Sequence, residues 1–157
     1  MTDPHDSLPS FQRALRDGEL IVQKGALDRE LIVHLDHPAP GVNRMTYAKL
    51  DGKKVVGLVQ MVPAQLLNGL PCFQAGVAVA REYRRKGHAK RLVAAAIAEL
   101  KQGLARDAKI KSFYVEAIVS VENEPSKRLA AATISKEPTA VTDELSGQPA
   151  LQYVLKV

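Results

Sequence analysis

The chain has 157 residues, of which 46% are hydrophobic and 25% charged, a composition that fits one domain able to bury its own core. Its single cysteine, Cys72, cannot form an internal disulfide, which favours a reducing compartment. The start of the chain lacks the basic and apolar segments of a signal peptide, and no apolar run could span a membrane. We therefore expect one cytoplasmic domain over residues 1–157, without a membrane partner.

The N-terminal quarter of the sequence carries weak structural signals. Residues 1–7 are polar and predict a flexible tail, and a short helix is predicted over 8–17, ending before Gly18. Short strands are predicted over 19–23 and 31–35. Two prolines and a glycine within 36–43 predict a loop.

The middle of the chain predicts an antiparallel meander. Strand patterns over 45–50 and 54–61 flank Asp51-Gly52, a pair favoured in tight hairpin turns because both residues tolerate positive φ. Asn68-Gly69 predicts a second turn before a strand over 73–79.

The second half of the chain alternates helices and strands. An amphipathic helix is predicted over 89–104, with Glu99 outside its apolar stripe. A strand over 113–121 has the near-continuous apolar character of a central position. The remaining predicted elements are a helix from 124 to about 135 and strands over 139–142 and 151–155.

The positive charge of the chain is concentrated in one segment. Residues 81–91 contain six Lys or Arg and one Glu, so their net charge of +5 equals that of the whole chain. They lie between a predicted strand and a predicted helix, where the unpaired N–H groups of a first helical turn attract anions. Gly87 would let the backbone approach a phosphate closely. A solvated helix start is the alternative, and nucleic acid is not an expected partner because the chain has no Trp and few other aromatic residues for stacking.

Two motifs in this half of the chain resemble those of the GNAT family of acyl-CoA-dependent N-acyltransferases. Arg84, Gly87 and Ala89 occupy the positions of the family's acyl-CoA signature, which is a basic residue or Gln, two residues, Gly, one residue, then Gly or Ala. Asn123 and Ser126 match a second pattern of Asn, two residues, then Ser or Ala. Both motifs fall in the expected secondary-structure context, which makes the resemblance specific.

The resemblance covers roughly residues 45–135 and implies a fold, a cosubstrate and a set of contacts. The implied fold is α/β (α+β), a mixed and mostly antiparallel sheet with helices on both faces and acyl-CoA bound at a splay between two central strands. The implied reaction is direct attack of an amine on the thioester of acetyl-CoA, with a backbone N–H near Val79 stabilising the oxyanion. The residues implied to bind the coenzyme are Val77, Val79, Arg84, Arg85, Lys86, Gly87, His88, Ala89, Asn123 and Ser126.

The catalytic side chains are less clearly marked. Family members often place a tyrosine about two turns after the asparagine to protonate the thiolate, but residues 129–134 contain none. Tyr153 is a candidate acid, although it is equally expected to be a packed strand residue. Glu116, an acid within an apolar strand, is the candidate base, and a solvent-facing or lysine-paired carboxylate is the alternative. No metal-ligand spacing is present, so no metal is expected.

The predicted function is transfer of an acetyl group from acetyl-CoA to a primary amine of a small molecule or a protein. The alternative, favoured by the missing tyrosine, is a catalytically silent acyl-CoA-binding sensor or regulatory module. The acceptor stays unassigned. The C-terminal strands predict a pairing surface for a homodimer.

Overall fold

One eight-stranded sheet organises residues 4–157, the part of the chain that the computed structural model describes. The strands lie in the order β1-β2-β3-β4-β5-β6-β8-β7, and every neighbouring pair is antiparallel except β5 and β6. This is the predicted mixed and mostly antiparallel sheet, with helices on both faces. The elements in chain order are α1 (Pro4–Arg16), β1 (Gln23–Lys24), β2 (Leu31–Ala39), β3 (Val42–Asp51), β4 (Lys54–Pro63), β5 (Cys72–Val79), α2 (His88–Asp107), β6 (Tyr114–Ser120), α3 (Glu124–Thr133), β7 (Thr139–Thr142) and β8 (Pro149–Lys156).

The predicted meander is confirmed, and both of its turns use left-handed backbone. Gly52 has a φ of 60°, and Asn68 and Gly69 have φ values of 50° and 77°. Only residues with little steric cost at positive φ fit such turns. The two dipeptides therefore fix where the chain reverses.

The predictions for the N-terminal quarter are partly wrong. The predicted loop over 36–43 is reduced to a two-residue turn at Pro40-Gly41, since β2 continues to Ala39 and β3 begins at Val42. Pro38 is tolerated there because β1 pairs only with Ile32 and Val33, which leaves the rest of β2 at the sheet edge, and because the register shifts beside it. Of the predicted strand over 19–23, only Gln23 belongs to a strand, because β1 covers Gln23–Lys24 alone.

Helices cover both faces of the sheet. The first helix begins at Pro4, so residues 4–7 of the predicted tail are helical, while residues 1–3 lie outside the described part of the chain. Its Phe11 packs into a cluster on one face with Ile32, Leu58 and Ala78. The opposite face carries the larger core beneath α2 and α3. No helix within residues 4–157 is both long and apolar enough to cross a membrane.

A buried carboxylate ties α2 to the loop that follows β1. Glu99 was predicted to lie off the apolar stripe, but it is 7% exposed. Its carboxylate accepts backbone N–H groups from Ala26 at 2.9 Å, Leu27 at 2.7 Å and Asp28 at 2.8 Å. A Cβ at Gly25 would lie 2.4 Å from the Asp28 carbonyl oxygen and 2.7 Å from Glu99 Oε1, so this close approach requires glycine.

We expect Glu99→Ala to lower the free energy of unfolding by about 2 kcal/mol or more, because three partly buried backbone N–H groups would lose their shared carboxylate acceptor. Urea denaturation gives the value. Gln102→Ala, on an exposed position of the same helix, is the control and should change stability by less than about 0.5 kcal/mol. Equal effects of the two substitutions would show that the carboxylate does not anchor the loop.

Candidate active site

The two central strands of the sheet part after a short stretch of pairing. β5 and β6 are in register only from Cys72–Tyr114 to Gln74–Glu116, yet β5 continues to Val79 and β6 to Ser120. The predicted splay between two central strands is therefore present. It leaves backbone groups on the facing edges of both strands without a strand partner.

The N–H groups of Val77 and Val79 point into this splay. Ala80 donates its N–H to the Val56 carbonyl oxygen of β4 at 2.8 Å. Because N–H groups alternate sides along a strand, those of Val77 and Val79 face away from β4 and towards the open edge. Two backbone donors thus line one wall of the opening.

A cavity of about 320 Å³ fills the splay. One wall is β5, the other is the second half of β6, and α2 and α3 close it on the side of the larger core. Its polar lining includes Ser120, Asn123, Ser126 and Thr133, and most of the remaining lining is aliphatic. A narrow slot of this kind suits an extended chain with a few polar groups.

The basic segment forms a loop at one end of the splay. A short 3-10 helix, Arg81–Tyr83, follows β5, and Gly87 then starts α2 in left-handed backbone with a φ of 79°. Within the described chain, no backbone N–H from residue 85 to residue 90 donates to a protein acceptor. Unpaired N–H groups at and just before a helix N-terminus are available to an anion, so the coenzyme assignment of this loop stays a prediction.

Side chains hold this loop in place. Arg84 donates through Nε to the Val79 carbonyl oxygen at 2.9 Å, so the first residue of the acyl-CoA signature is partly occupied in fixing the loop to β5. Arg91 donates through Nη2 to the Lys86 carbonyl oxygen at 3.0 Å. Arg85 adopts a positive φ of 63°, which sharpens the turn between the two helices.

The hairpin turn between β3 and β4 braces the loop from the other side. The Tyr83 hydroxyl donates to Asp51 Oδ2 at 2.9 Å. Lys54 forms an ion pair with Glu82 and lies 5.7 Å from the centre of the Tyr83 ring. These contacts fix the 3-10 helix against the sheet.

His88 belongs to this basic loop and carries little positive charge at neutral pH. Partial burial, followed by the positive charges of Arg91, Lys49 and Lys86, lowers the pKa of its imidazole. Burial disfavours the charged form of the ring, and the neighbouring cations repel the imidazolium further.

Asn123 caps α3. Its Oδ1 accepts the Ser126 N–H at 3.2 Å, and both residues line the cavity in the splay. The cap is compatible with a further contact to a ligand, so the coenzyme assignment of Asn123 and Ser126 stays a prediction.

No tyrosine lines the cavity among the described residues. Ala130, two turns after Asn123, lies in the cavity wall at the position where the resemblance predicted a tyrosine. Tyr153 is 3% exposed within the larger core, opposite Ala117 in the sheet register. That is the position of a packed side chain, and it gives no support to the acid role predicted for Tyr153.

The sequence did not predict the two titratable side chains of the cavity, His5 and Asp143. His5, from the first turn of α1, lines it, and its Nδ1 lies 3.4 Å from Arg84 Nη2. Residues 1–7 were predicted to be a tail, and no local signal in the sequence brings this helix to the splay.

A second cavity, of about 670 Å³, opens near the point where β5 and β6 part. Gln74 and Glu116, the last registered pair, both line it, and Glu116 accepts a hydrogen bond from Gln152 Nε2 at 2.7 Å. The two cavities share four lining residues, namely Gln74, Ile118, Asp143 and Leu145. Glu116 lines the second cavity and not the first, at the strand position where the pairing of β5 with β6 ends.

Cys72 lies close to Glu116 but is not an activated thiol. Burial, and after it the negative charge of Glu116, raises the pKa of the Cys72 thiol to about 11. The thiol stays protonated at neutral pH, which fits its buried position. Among residues 4–157, no three His, Cys, Asp or Glu side chains are arranged to hold a metal ion.

Comparison with known proteins agrees with the resemblance seen in the motifs. The model of the Acetyltransferase (GNAT) family matches residues 8–132. No curated protein matches the chain in sequence.

Solved structures share the fold at low sequence identity. An acetyltransferase of the GNAT family from Streptococcus pneumoniae is 12% identical with a TM-score of 0.53, and the match covers 73% of this chain and 66% of that one. NAA60 of Arabidopsis thaliana, solved with a bisubstrate analogue, is 16% identical with a TM-score of 0.51, covering 74% and 76%. The NatC complex bound to Gag peptide and CoA gives 21% identity and a TM-score of 0.51, covering 71% and 70%. At these identities the likeness concerns the fold alone.

The imidazole of His88 should titrate below its ordinary pKa of about 6.5 in the free protein, and coenzyme A should raise that pKa. Phosphate groups bound at the loop would offset the surrounding positive charge and favour the imidazolium form. NMR titration of the ring protons, with and without coenzyme A, measures both. The signals of His37, on the distant end of β2, should not respond to the ligand. An unchanged His88 titration would argue against phosphate binding at this loop.

Proposed function

The chain belongs to the GNAT acetyltransferase family, and on that premise we propose that it transfers the acetyl group of acetyl-CoA to a primary amine. The observation that carries the proposal is the splay between β5 and β6. The basic loop lies at one end of the splay, a cavity lies between the parted strands, and Glu116 lies where the strands begin to part. Each of these parts meets one chemical need of the reaction.

The loop from residue 85 to residue 90 would hold the pyrophosphate of the coenzyme. Its six N–H donors have no protein acceptor, and the exposed side chains of Arg85 and Lys86 add counter-charge. The cluster of basic residues around them would also attract the separate ribose phosphate of coenzyme A. His88 and Ala89, in the first turn of α2, contribute two of the backbone donors.

The pantetheine arm would lie in the cavity between the parted strands. Its amide groups can pair with the open strand edges, and Asn123 and Ser126 offer further polar contacts beside the cavity. The thioester carbonyl oxygen would accept one of the N–H groups of Val77 and Val79, which point into the splay but lie about 6.6 Å apart along β5, too far for one oxygen to accept both. Such fixed donors stabilise the negative charge that develops on the oxygen during attack.

Glu116 would act as the base for the amine. Attack forms a bond between nitrogen and the acetyl carbon, breaks the bond between carbon and sulfur, and leaves one excess proton on nitrogen. Glu116 lines the second cavity at the last registered pair of β5 and β6, and the hydrogen bond that it accepts from Gln152 would orient its carboxylate. It can take the proton directly or through one water molecule.

The departing sulfur would leave as a thiolate assisted by water. Ala130 removes the usual phenol from the cavity wall. A free thiol has a pKa of about 8.5, so the thiolate is a moderate leaving group that needs no dedicated acid near neutral pH. The missing tyrosine therefore reduces the rate of the reaction without forbidding it.

The same alanine supports a second candidate function, an acyl-CoA-binding module that does not catalyse transfer. This candidate predicts tight binding of acetyl-CoA with no release of coenzyme A for any amine. Calorimetry together with a thiol-release assay across a panel of amines distinguishes the two. Absence of acetyl-CoA binding at micromolar concentration would exclude both.

Gly87→Ala should raise the dissociation constant of acetyl-CoA by about tenfold or more. A side chain at this left-handed position costs roughly 1–2 kcal/mol, and its Cβ would lie 2.8 Å from Arg91 Nη1, at the mouth of the anion site. Gly103→Ala, on the same helix with nothing within 4 Å of the added carbon, is the matched control and should leave binding unchanged. Calorimetric constants that agree for the two variants would contradict the proposed cradle.

Glu116→Gln should lower kcat by about 10²- to 10⁴-fold, the range expected for loss of a general base, with little change in the affinity for acetyl-CoA. Steady-state release of coenzyme A gives kcat, and calorimetry gives the affinity. Glu122→Gln is the control, because this exposed carboxylate lies beyond the end of β6 and lines neither cavity. If Glu116→Gln retains full activity, Glu116 is not the base.

A further inference from the structure

The second cavity differs from the rest of the molecule in its charge. Its lining contains three carboxylates, Glu116, Asp143 and Glu144, and no Lys, Arg or His among the described residues. The chain as a whole is basic, with a net charge of +5. A cavity of about 670 Å³ with this lining has the size of a small-molecule site and the potential to attract a cation.

Two of these carboxylates have no task in the chemistry proposed above. Asp143 and Glu144 lie in the loop between β7 and β8, and neither forms an ion pair within residues 4–157. The Asp143 carboxylate accepts the Leu145 N–H at 3.0 Å, which closes the loop. Two adjacent acids without a cation repel each other, so a bound positive charge would relieve that repulsion.

Exposed aliphatic side chains flank the acidic lining. Leu66, between β4 and β5, and Leu145, in the loop between β7 and β8, are 68% and 74% exposed and both line the cavity. Leucines that are so exposed at a cavity offer apolar contact to a ligand with an alkyl segment. Leu145 also lines the first cavity, so such a segment would run along the path to the splay.

We propose that the acceptor is a small aliphatic amine that carries a second positive charge, a diamine or polyamine. This inference rests on the proposed function. The reacting nitrogen lies at Glu116, the alkyl spacer contacts Leu66 and Leu145, and the distal ammonium is held by Asp143 and Glu144. An amine that carries a carboxylate is disfavoured, because its negative charge would enter a cavity that already holds three acids.

The test compares three amines of matched length, 1,5-diaminopentane, 1-aminopentane and 5-aminopentanoate. Release of coenzyme A from acetyl-CoA gives kcat/KM for each, and calorimetry on the coenzyme-loaded protein gives the affinity of each amine without chemistry. We expect kcat/KM to be about tenfold higher for the diamine than for the monoamine, equivalent to about 1.4 kcal/mol. The aminopentanoate should be the poorest of the three.

The variant for this test is the double substitution Asp143→Asn with Glu144→Gln. It keeps an oxygen that can accept the Leu145 N–H, and it should bring the ratio between diamine and monoamine close to one. Glu137→Gln removes an exposed carboxylate that lines neither cavity, and it should leave the ratio as in the wild type. Raising the salt concentration should reduce the ratio in the wild type and in the Glu137→Gln control, but not in the double variant.

The outcomes separate this inference from the proposed function. Equal rates and affinities for the diamine and the monoamine, or a preference for the aminopentanoate, overturn the inference while acetyl transfer stands. A lysine-containing peptide preferred over the diamine overturns the assignment of a small molecule. Binding of the diamine that depends on Asp143 and Glu144 without any release of coenzyme A supports the inference and contradicts the proposed transfer.

Discussion

The short pairing of β5 with β6 is the constraint on which the site depends. On its other side, β5 forms seven registered pairs with β4, and β6 forms seven with β8, whereas the two strands share only three. The sheet is thus two well-paired halves joined at a narrow seam. If β5 and β6 paired along their whole length, the N–H groups of Val77 and Val79 would bond to β6 and no cavity would remain between the strands. Parting leaves a slot with backbone donors already directed into it, at no cost in reorganisation when a ligand arrives.

The two ends of this slot carry opposite charge. The basic segment, residues 81–91, accounts for the whole positive surplus of the chain, and it begins immediately after β5. The second cavity carries three carboxylates near the seam. A polyanionic donor and a cationic acceptor would therefore each be attracted to their own end and repelled from the other. Under the proposed function, this arrangement would order the two substrates along one path.

The parts of the structure that were predicted correctly are those fixed by local sequence. The turns at Asp51-Gly52 and Asn68-Gly69 follow from backbone sterics of a few residues, and the loop before α2 follows from its charge and Gly87. Glu99 was misplaced because its partners are N–H groups more than seventy residues away. No pattern on α2 could reveal them.

Long-range contacts also decide the parts of the site that sequence could not supply. His5 reaches the splay because Phe11 packs α1 onto the sheet, and Asp143 reaches it because β7 pairs with β8. The sequence allowed Tyr153 to be either a catalytic acid or a packed strand residue. Its register opposite Ala117 directs its side chain into the core. Glu116 was predicted as the base from its chemistry alone. Its position where β5 and β6 part follows from its register with Gln74, which the sequence does not reveal.

The turn between β3 and β4 supports two parts of the molecule at once. Asp51 receives the Tyr83 hydroxyl from the basic loop, while Gln12 of α1 donates to the Lys53 carbonyl oxygen and accepts the Val55 N–H at 2.6 Å. The N-terminal helix and the basic loop are therefore both hydrogen-bonded to this turn. A ligand that stiffens the loop would also slow local opening of the turn and of α1. Substitutions in this turn would consequently change the local stability of both α1 and the basic loop.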